Sequence, residues 1–264
     1  LDLLVPSIPV RLEESKANDA VKQAATILVE EGNSSPQLSH VCSVVVANPK
    51  VFFSQRTMFA KHFVTSLNRL GFPSTPTLES RVLAVDVVEL LLDWERQHSG
   101  ANHLFSVEQL DVMANFLIRL RIMMAEPHDS RGSRMELSPP QLEQRIMKMI
   151  KTLVKRNGVE IRAQPFEKMS SKERHSGVAL VACIDLLHAF ATVGVLDFFA
   201  TNVSVTAGIV QASFLEAGND LQLRQKLQQF IMGSKYITTV VSPALVALER
   251  VLNIATREQR RNPH

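Results

Sequence analysis

Three carboxylates, Asp86, Glu89 and Asp93, stand at three- and four-residue spacing in the stretch LESRVLAVDVVELLLDWERQ. On a helix that spacing gives one face, where paired carboxylates can do acid–base work or hold a hard cation. No His or Cys occurs at ligand spacing within the stretch, so the simpler reading is a solvated stripe. Asp185 and His188, at i and i+3, would make half of a catalytic pair, but no G-x-S-x-G nucleophile elbow accompanies them. They read more simply as a short polar stripe on an inner helix. His40, His62, His103 and His175 are scattered and form no metal-ligand pattern. Phosphate chemistry lacks its motifs: there is no G-x-x-x-x-G-K-S/T, no G-x-G-x-x-G, no HRD and no DFG. We therefore assign no catalytic residue, no cofactor site and no metal site, and expect no enzymatic activity.

One charged pattern points to binding. Arg145, Lys148, Lys151, Lys155 and Arg156 lie opposite Leu142, Ile146 and Leu153, with no acid interleaved. Lys148, Lys151 and Lys155 fall within about 60° of one another at helical periodicity. Such a row can meet phosphates, an acidic activation segment or an acidic subunit. A solvated face, screened over about 8 Å at physiological salt, is the plainer alternative. Arg257, Arg260 and Arg261 form a second basic cluster, read as a flexible end.

The elements that carry these residues are helices. From Ser74 to Gln97, Thr75 suits an N-cap, Pro76 the first helical position and Glu79 the positive end of the helix dipole. Glu79, Asp86, Glu89, Asp93, Arg96 and Gln97 share roughly 100° of the helical wheel. Nearly all the rest is apolar, including Val85, Leu92 and Trp94, which predicts an inner helix covered on its other sides. Gly177 to Ala191 is almost wholly apolar and predicts a second inner helix, with Arg174, Asp185 and His188 as its wet stripe.

In chain order, residues 1–16 read as an extended or turning entry, because Pro6 and Pro9 interrupt a helix. Helices follow over 17–30, stopping near Gly32, then from Pro36 to before Pro49, and from Ser54 to Leu70. Polar links are expected at 98–105, 126–137 and 156–169. Ser106 with Gln109 makes a capping box, and the patterns from Ser138 and from Ser170 repeat it. The segment 194–217 mixes strand and helix signals. Two helical pieces broken near Asn202 fit it better, because no partner strand is evident elsewhere. Asn219 is expected to cap a helix carrying Leu223, Leu227, Phe230 and Ile231, and a last helix spans 237–255. About ten helices with short connections predict an all-α, HEAT-like α-solenoid. Residues 1–264 are read as one segment of it, with a compact helical bundle as the competing architecture.

Composition narrows the function classes. Hydrophobic residues make up 45% of the 264, yet no uncharged apolar run of about 18 residues occurs, so no membrane span is expected. The N-terminal residues lack the basic start of a signal peptide. Beginning at Leu1, the chain is expected to be a piece of something longer. Cys42 and Cys183, far apart in apolar surroundings, read as buried thiols in a reducing compartment. A net charge of +3 permits acidic partners, while 6% aromatic content argues against base stacking on single strands, so direct nucleic-acid contact is not expected.

Several long segments in order, LDLLVPSIPVRLEES, ILVEEGNSSPQLSHV, RLGFPSTPTLESRVLAVDVVELLLDWERQ and ANFLIRL, resemble the transformation/transcription domain-associated protein (TRRAP) family. These are the pseudokinase scaffolds of the phosphatidylinositol-3-kinase-related kinase superfamily. The similarity is clearest over residues 1–120 and thinner but collinear to about 232. It implies part of a very long HEAT-repeat scaffold in the nucleus, without catalysis, within SAGA-type or related acetyltransferase complexes and presenting surfaces to transcription activators. One departure is that only RQHSGANHLF separates the WE-containing helix from the next, where many members carry a long polar insertion. A HEAT-repeat module that binds cargo as transport receptors do is the alternative.

Overall fold

The computed structural model describes residues 5–7, 14–31, 35–74, 77–97, 103–126, 140–156, 158–170, 176–233, 246 and 249. Those residues are all-α, with no strand among them. They fall into two compact units, Leu1–Phe116 and Leu117–His264.

The first unit holds α1 (Glu14–Glu31), α2 (Ser35–Ala47), α3 (Arg56–Gly71), α4 (Leu78–Gln97) and the first half of α5 (Val107–Ala125). Helix α4 packs against both α2 and α3, and α1 packs on the same pair. Neighbour-on-neighbour packing of this kind is what a HEAT-type helical repeat produces. Val85, Val87, Val88 and Leu91 of α4 are fully buried and Trp94 is 1% exposed, as the narrow polar stripe predicts. Each such side chain contributes about 1.5–3 kcal/mol by leaving water. Thr75 and Pro76 lie outside the described residues. The cap that is seen is Thr77, whose Oγ1 accepts from Ser80 N–H at 3.1 Å while Ser80 Oγ accepts from Thr77 N–H at 3.2 Å. Helix α1 begins at Glu14, earlier than expected, since no proline or glycine stands between Pro9 and that start to hold the chain extended. Helix α3 starts at Arg56 behind a 3-10 turn, Phe53–Gln55, that takes up the expected start at Ser54. Gly71 closes α3 against Phe116, where a Cβ would come within 2.6 Å of the ring.

The second unit holds the rest of α5, then α6 (Pro140–Val154), α7 (Gln164–Glu167), α8 (Gly177–Val193), α9 (Leu196–Thr201), α10 (Val203–Glu216) and α11 (Leu221–Gly233). Helix α8 is the second inner helix, packed against α6, α10 and α11 and buried from Ala179 to Ile184. It ends at Gly194, whose φ of 86° is the left-handed conformation that lets Gly194 and Val195 N–H return to Phe190 O at 3.0 Å. The segment 194–217 is two helices broken at Asn202, which turns its own amide and side chain onto Phe198 O, both at 2.9 Å. The expected link 156–169 needs correction. It contains α7 and a 3-10 turn, Lys168–Ser170, because Phe166 and Met169 are drawn inside. Phe166 meets Phe198 and Phe190 at ring-centroid distances of 5.5 and 6.0 Å. The cap of α11 is Asp220, not Asn219: its Oδ1 accepts from Leu223 N–H at 3.0 Å, three residues on, as capping geometry requires. Gly32, Ser138, residues 171–175 and the expected helix over 237–255, apart from 246 and 249, lie outside the described residues.

Candidate functional site

Helix α6 carries the basic row. Its sequence alternates so that Leu142, Ile146, Met149, Ile150, Leu153 and Val154 are buried on one side. Lys148, Lys151 and Lys155 are left exposed on the other, with Arg145 and Arg156 half-buried at the two ends. The three lysines border one shallow hollow of about 560 Å3, shared with Gln144, Met147 and Thr152. Helix α6 ends at Val154, so Lys155 and Arg156 belong to the turn behind it, which Arg156 N–H closes onto Leu153 O at 3.0 Å. Helix α6 is tied to α5 by Arg121, 4% exposed, whose Nη2 reaches Glu143 Oε2 at 3.1 Å.

The acidic stripe of α4 is not simply solvated. Asp86, Glu89 and Asp93 are half-buried and line a cavity of about 610 Å3. Its apolar wall comes from Val46, Phe53, Leu90 and Trp94, and Lys50 is the one cation among the described lining residues. Asp93 is also paired with Arg96. Among the described residues no group of three His, Cys, Asp or Glu could hold a metal ion.

Asp185 and His188 do lie together on α8, but Asp185 Oδ1 is paired with Lys226 Nζ at 2.9 Å. The His188 Nδ1 is buried, with no hydrogen-bond partner among the described residues. Burial lowers the His188 pKa; Asp185 opposes that shift, and Lys151 and Lys226 reinforce it. Cys42 and Cys183 are free and buried, and burial pushes both thiols up to about 12.

Besides Arg121, two buried charges among the described residues were missed by periodicity. Glu95, 7% exposed, accepts from Leu104 N–H at 2.8 Å and meets His103 Nδ1 at 3.2 Å, which pins the approach to α5. The signal was on the helical wheel, where Glu95 stands about 200° from Asp93, off the wet stripe. Arg81, 3% exposed, is the other, and burial lowers its pKa.

Comparison with known proteins bears on the first unit. The profile of the Tra1 HEAT repeat ring region matches residues 1–109. "Transcription-associated protein 1" of Drosophila melanogaster is 36% identical over 95 residues, covering 36% of this chain and 2% of that protein. "Transformation/transcription domain-associated protein" of Homo sapiens is 37% identical over 95 residues, again 36% of this chain and 2% of the relative. "SAGA complex/NuA4 acetyltransferase complex subunit TRA1" of Saccharomyces cerevisiae is 29% identical over 98 residues, 37% of this chain and 3% of that subunit. The matched stretch is thus a small part of proteins many times longer. No solved structure matches the chain. Over residues 1–109 the chain is thus similar to the HEAT-repeat ring region of Tra1/TRRAP proteins.

Proposed function

We propose that this chain is a non-catalytic scaffold segment of a nuclear transcription coactivator, part of a histone acetyltransferase complex, and that it works through protein–protein contact. The observation that carries this reading is the match of residues 1–109 to the Tra1 ring region, whose yeast relative is by name a subunit of SAGA and NuA4 acetyltransferase complexes. Within the segment, the row Arg145, Lys148, Lys151, Lys155 and Arg156 is the contact surface for an acidic partner, either another subunit or a transcription activator. Its support is geometric. Packing uses the Leu142 side of α6 and leaves the three lysines together in water. Like charges repel there, and an acidic partner relieves that repulsion and speeds encounter at low salt.

The test is Lys148→Glu, Lys151→Glu and Lys155→Glu together in the full-length protein that contains this segment, followed by purification of whatever it binds. Loss of an acetyltransferase subunit or of activator binding, with the helical content retained, is the expected result. Unchanged composition, activator binding and salt sensitivity would reduce the row to a solvated face. The transport-receptor-like alternative draws on the acidic cavity of α4. Cargo in the purified material, in place of acetyltransferase subunits, would favour it.

A further inference from the structure

Thr152 stands inside the basic row and carries the one hydroxyl of the hollow there. Lys148 lies four residues before it on α6 and Lys155 three residues after it, spacings that make near neighbours at helical periodicity. Thr152 is exposed and borders the same hollow of about 560 Å3 as Lys148, Lys151 and Lys155. Its Oγ1 donates to Lys148 O at 3.0 Å, a back-bond within the helix that contributes little to it. Helix α6 ends two residues on, at Val154, so Thr152 sits in the last turn, where a helix opens most readily. Leu153 beside it is fully buried and sets the cost of that opening. No acid of the helix opposes the row, because its one carboxylate, Glu143, is held by Arg121 at 3.1 Å. Among the described residues Lys148, Lys151 and Lys155 make no ion pair of their own.

We propose that Thr152 is a phosphorylation site and that its phosphate switches off the basic contact surface. The proposal rests on the reading of the row as that surface. A basophilic serine/threonine kinase is the modifying enzyme, because Lys148, Lys151 and Lys155 stand four and one residues before the acceptor and three after it. The Thr152 Oγ1 attacks the γ-phosphorus of ATP, the bond from that phosphorus to the β,γ-bridging oxygen breaks, ADP leaves, and the hydroxyl proton goes to the catalytic base of the kinase. The new group carries about −1.5 to −2 at neutral pH, which leaves the three lysines with a balance of about +1 to +1.5. Its oxygens accept charge-assisted hydrogen bonds from Lys148 and Lys155. The cations that an acidic partner would meet are then satisfied within the chain. A negative group also opposes the dipole at this end of α6 and loosens the turn that presents Lys155.

The experiment treats the folded 264-residue chain with a basophilic serine/threonine kinase and Mg·ATP and locates phosphate by mass spectrometry. Binding of a synthetic Leu/Glu amphipathic helix of about 14 residues is then read by peptide anisotropy. Phosphate is expected on Thr152, with binding about tenfold weaker than that of the unmodified chain, the loss of about two exposed ion pairs. Thr152→Val is expected to bind the peptide as the wild type does, before and after kinase treatment. Thr152→Glu, with about half the charge of a phosphate, should weaken binding about threefold. The triple variant Lys148→Glu, Lys151→Glu, Lys155→Glu separates the two claims. If it binds the peptide as well as the wild type does, the contact reading fails and the switch with it. If it loses binding while the phosphorylated chain keeps it, the contact surface stands and the switch alone is overturned. Equal loss in kinase-treated Thr152→Val overturns the switch as well. So does absence of phosphate on Thr152 of the folded chain, and labelling of a synthetic 145–159 peptide alone would trace that failure to the fold.

Discussion

Replacing Gly208 by alanine should destabilise the protein, although helix propensity alone predicts the opposite. Gly208 lies inside α10, where Gly→Ala gains about 1 kcal/mol in an open helix. Here a Cβ would sit 2.9 Å from both the Cβ and the backbone O of Ser170 and 3.2 Å from its Cα. Carbon contacts are most favourable near 3.5–4.0 Å, so the 3-10 turn would have to retreat by roughly half an ångström or more. That turn cannot move alone, because Met169 is 2% exposed and Phe166, just before it, is fully buried. Overpacking of this kind costs about 1–3 kcal/mol, which leaves a net loss near 1 kcal/mol after the propensity gain. For a chain of this size the fall in Tm is about 2–4 °C. Thermal and urea unfolding of Gly208→Ala measure it. Gly218→Ala is the control, since a Cβ there meets nothing within 4 Å. A gain in stability for Gly208→Ala would refute the close packing of α10 on the turn.

Four further outcomes follow from burial. Leu91→Ala, at a fully buried position of α4, should cost about 2–5 kcal/mol in urea unfolding. Met232→Ala, at a site 79% exposed, should stay within about 0.5 kcal/mol. Cys42 and Cys183 should not react with a thiol reagent at neutral pH in the native protein and should both react in denaturant, because each is buried with its pKa pushed up to about 12. Burial lowers the folded pKa of His62 and of His188, with Arg69 adding to the effect at His62. The unfolded state therefore binds more protons. Stability is fully present above the ordinary histidine value and is lost as pH falls from there through the folded values. His62→Gln and His188→Gln should each flatten unfolding curves measured below the ordinary histidine pKa.

Much of the fold is legible in the sequence wherever one physical signal acts alone. The stripe of α4 marks an inner helix because a helix wetted on so little of its surface must be covered elsewhere. Ser106 and Gln109 do form the capping box, with Ser106 N–H on Gln109 Oε1 at 3.0 Å and Gln109 N–H on Ser106 Oγ at 3.4 Å. Signals in competition are harder to read. Asn219 and Asp220 are both good caps, and only the observed register, Asp220 to Leu223, decides between them. Residues 164–170 look like a polar link because two apolar anchors, Phe166 and Met169, are too few to give a period. The acidic cavity could not be read from α4 alone. Its wall comes from Val46, Lys50 and Phe53, well before α4 in the chain, and only packing of α2 on α4 places them beside Asp86 and Glu89.

The contact role of the segment is tested most directly by zero-length amine–carboxylate crosslinking of the full-length protein in its purified complex, read by mass spectrometry at Lys148, Lys151 and Lys155. These lysines are predicted to join to Asp or Glu side chains of another subunit or of a bound activator. Crosslinks from them only within the same chain, while lysines elsewhere link to other subunits, would contradict the account.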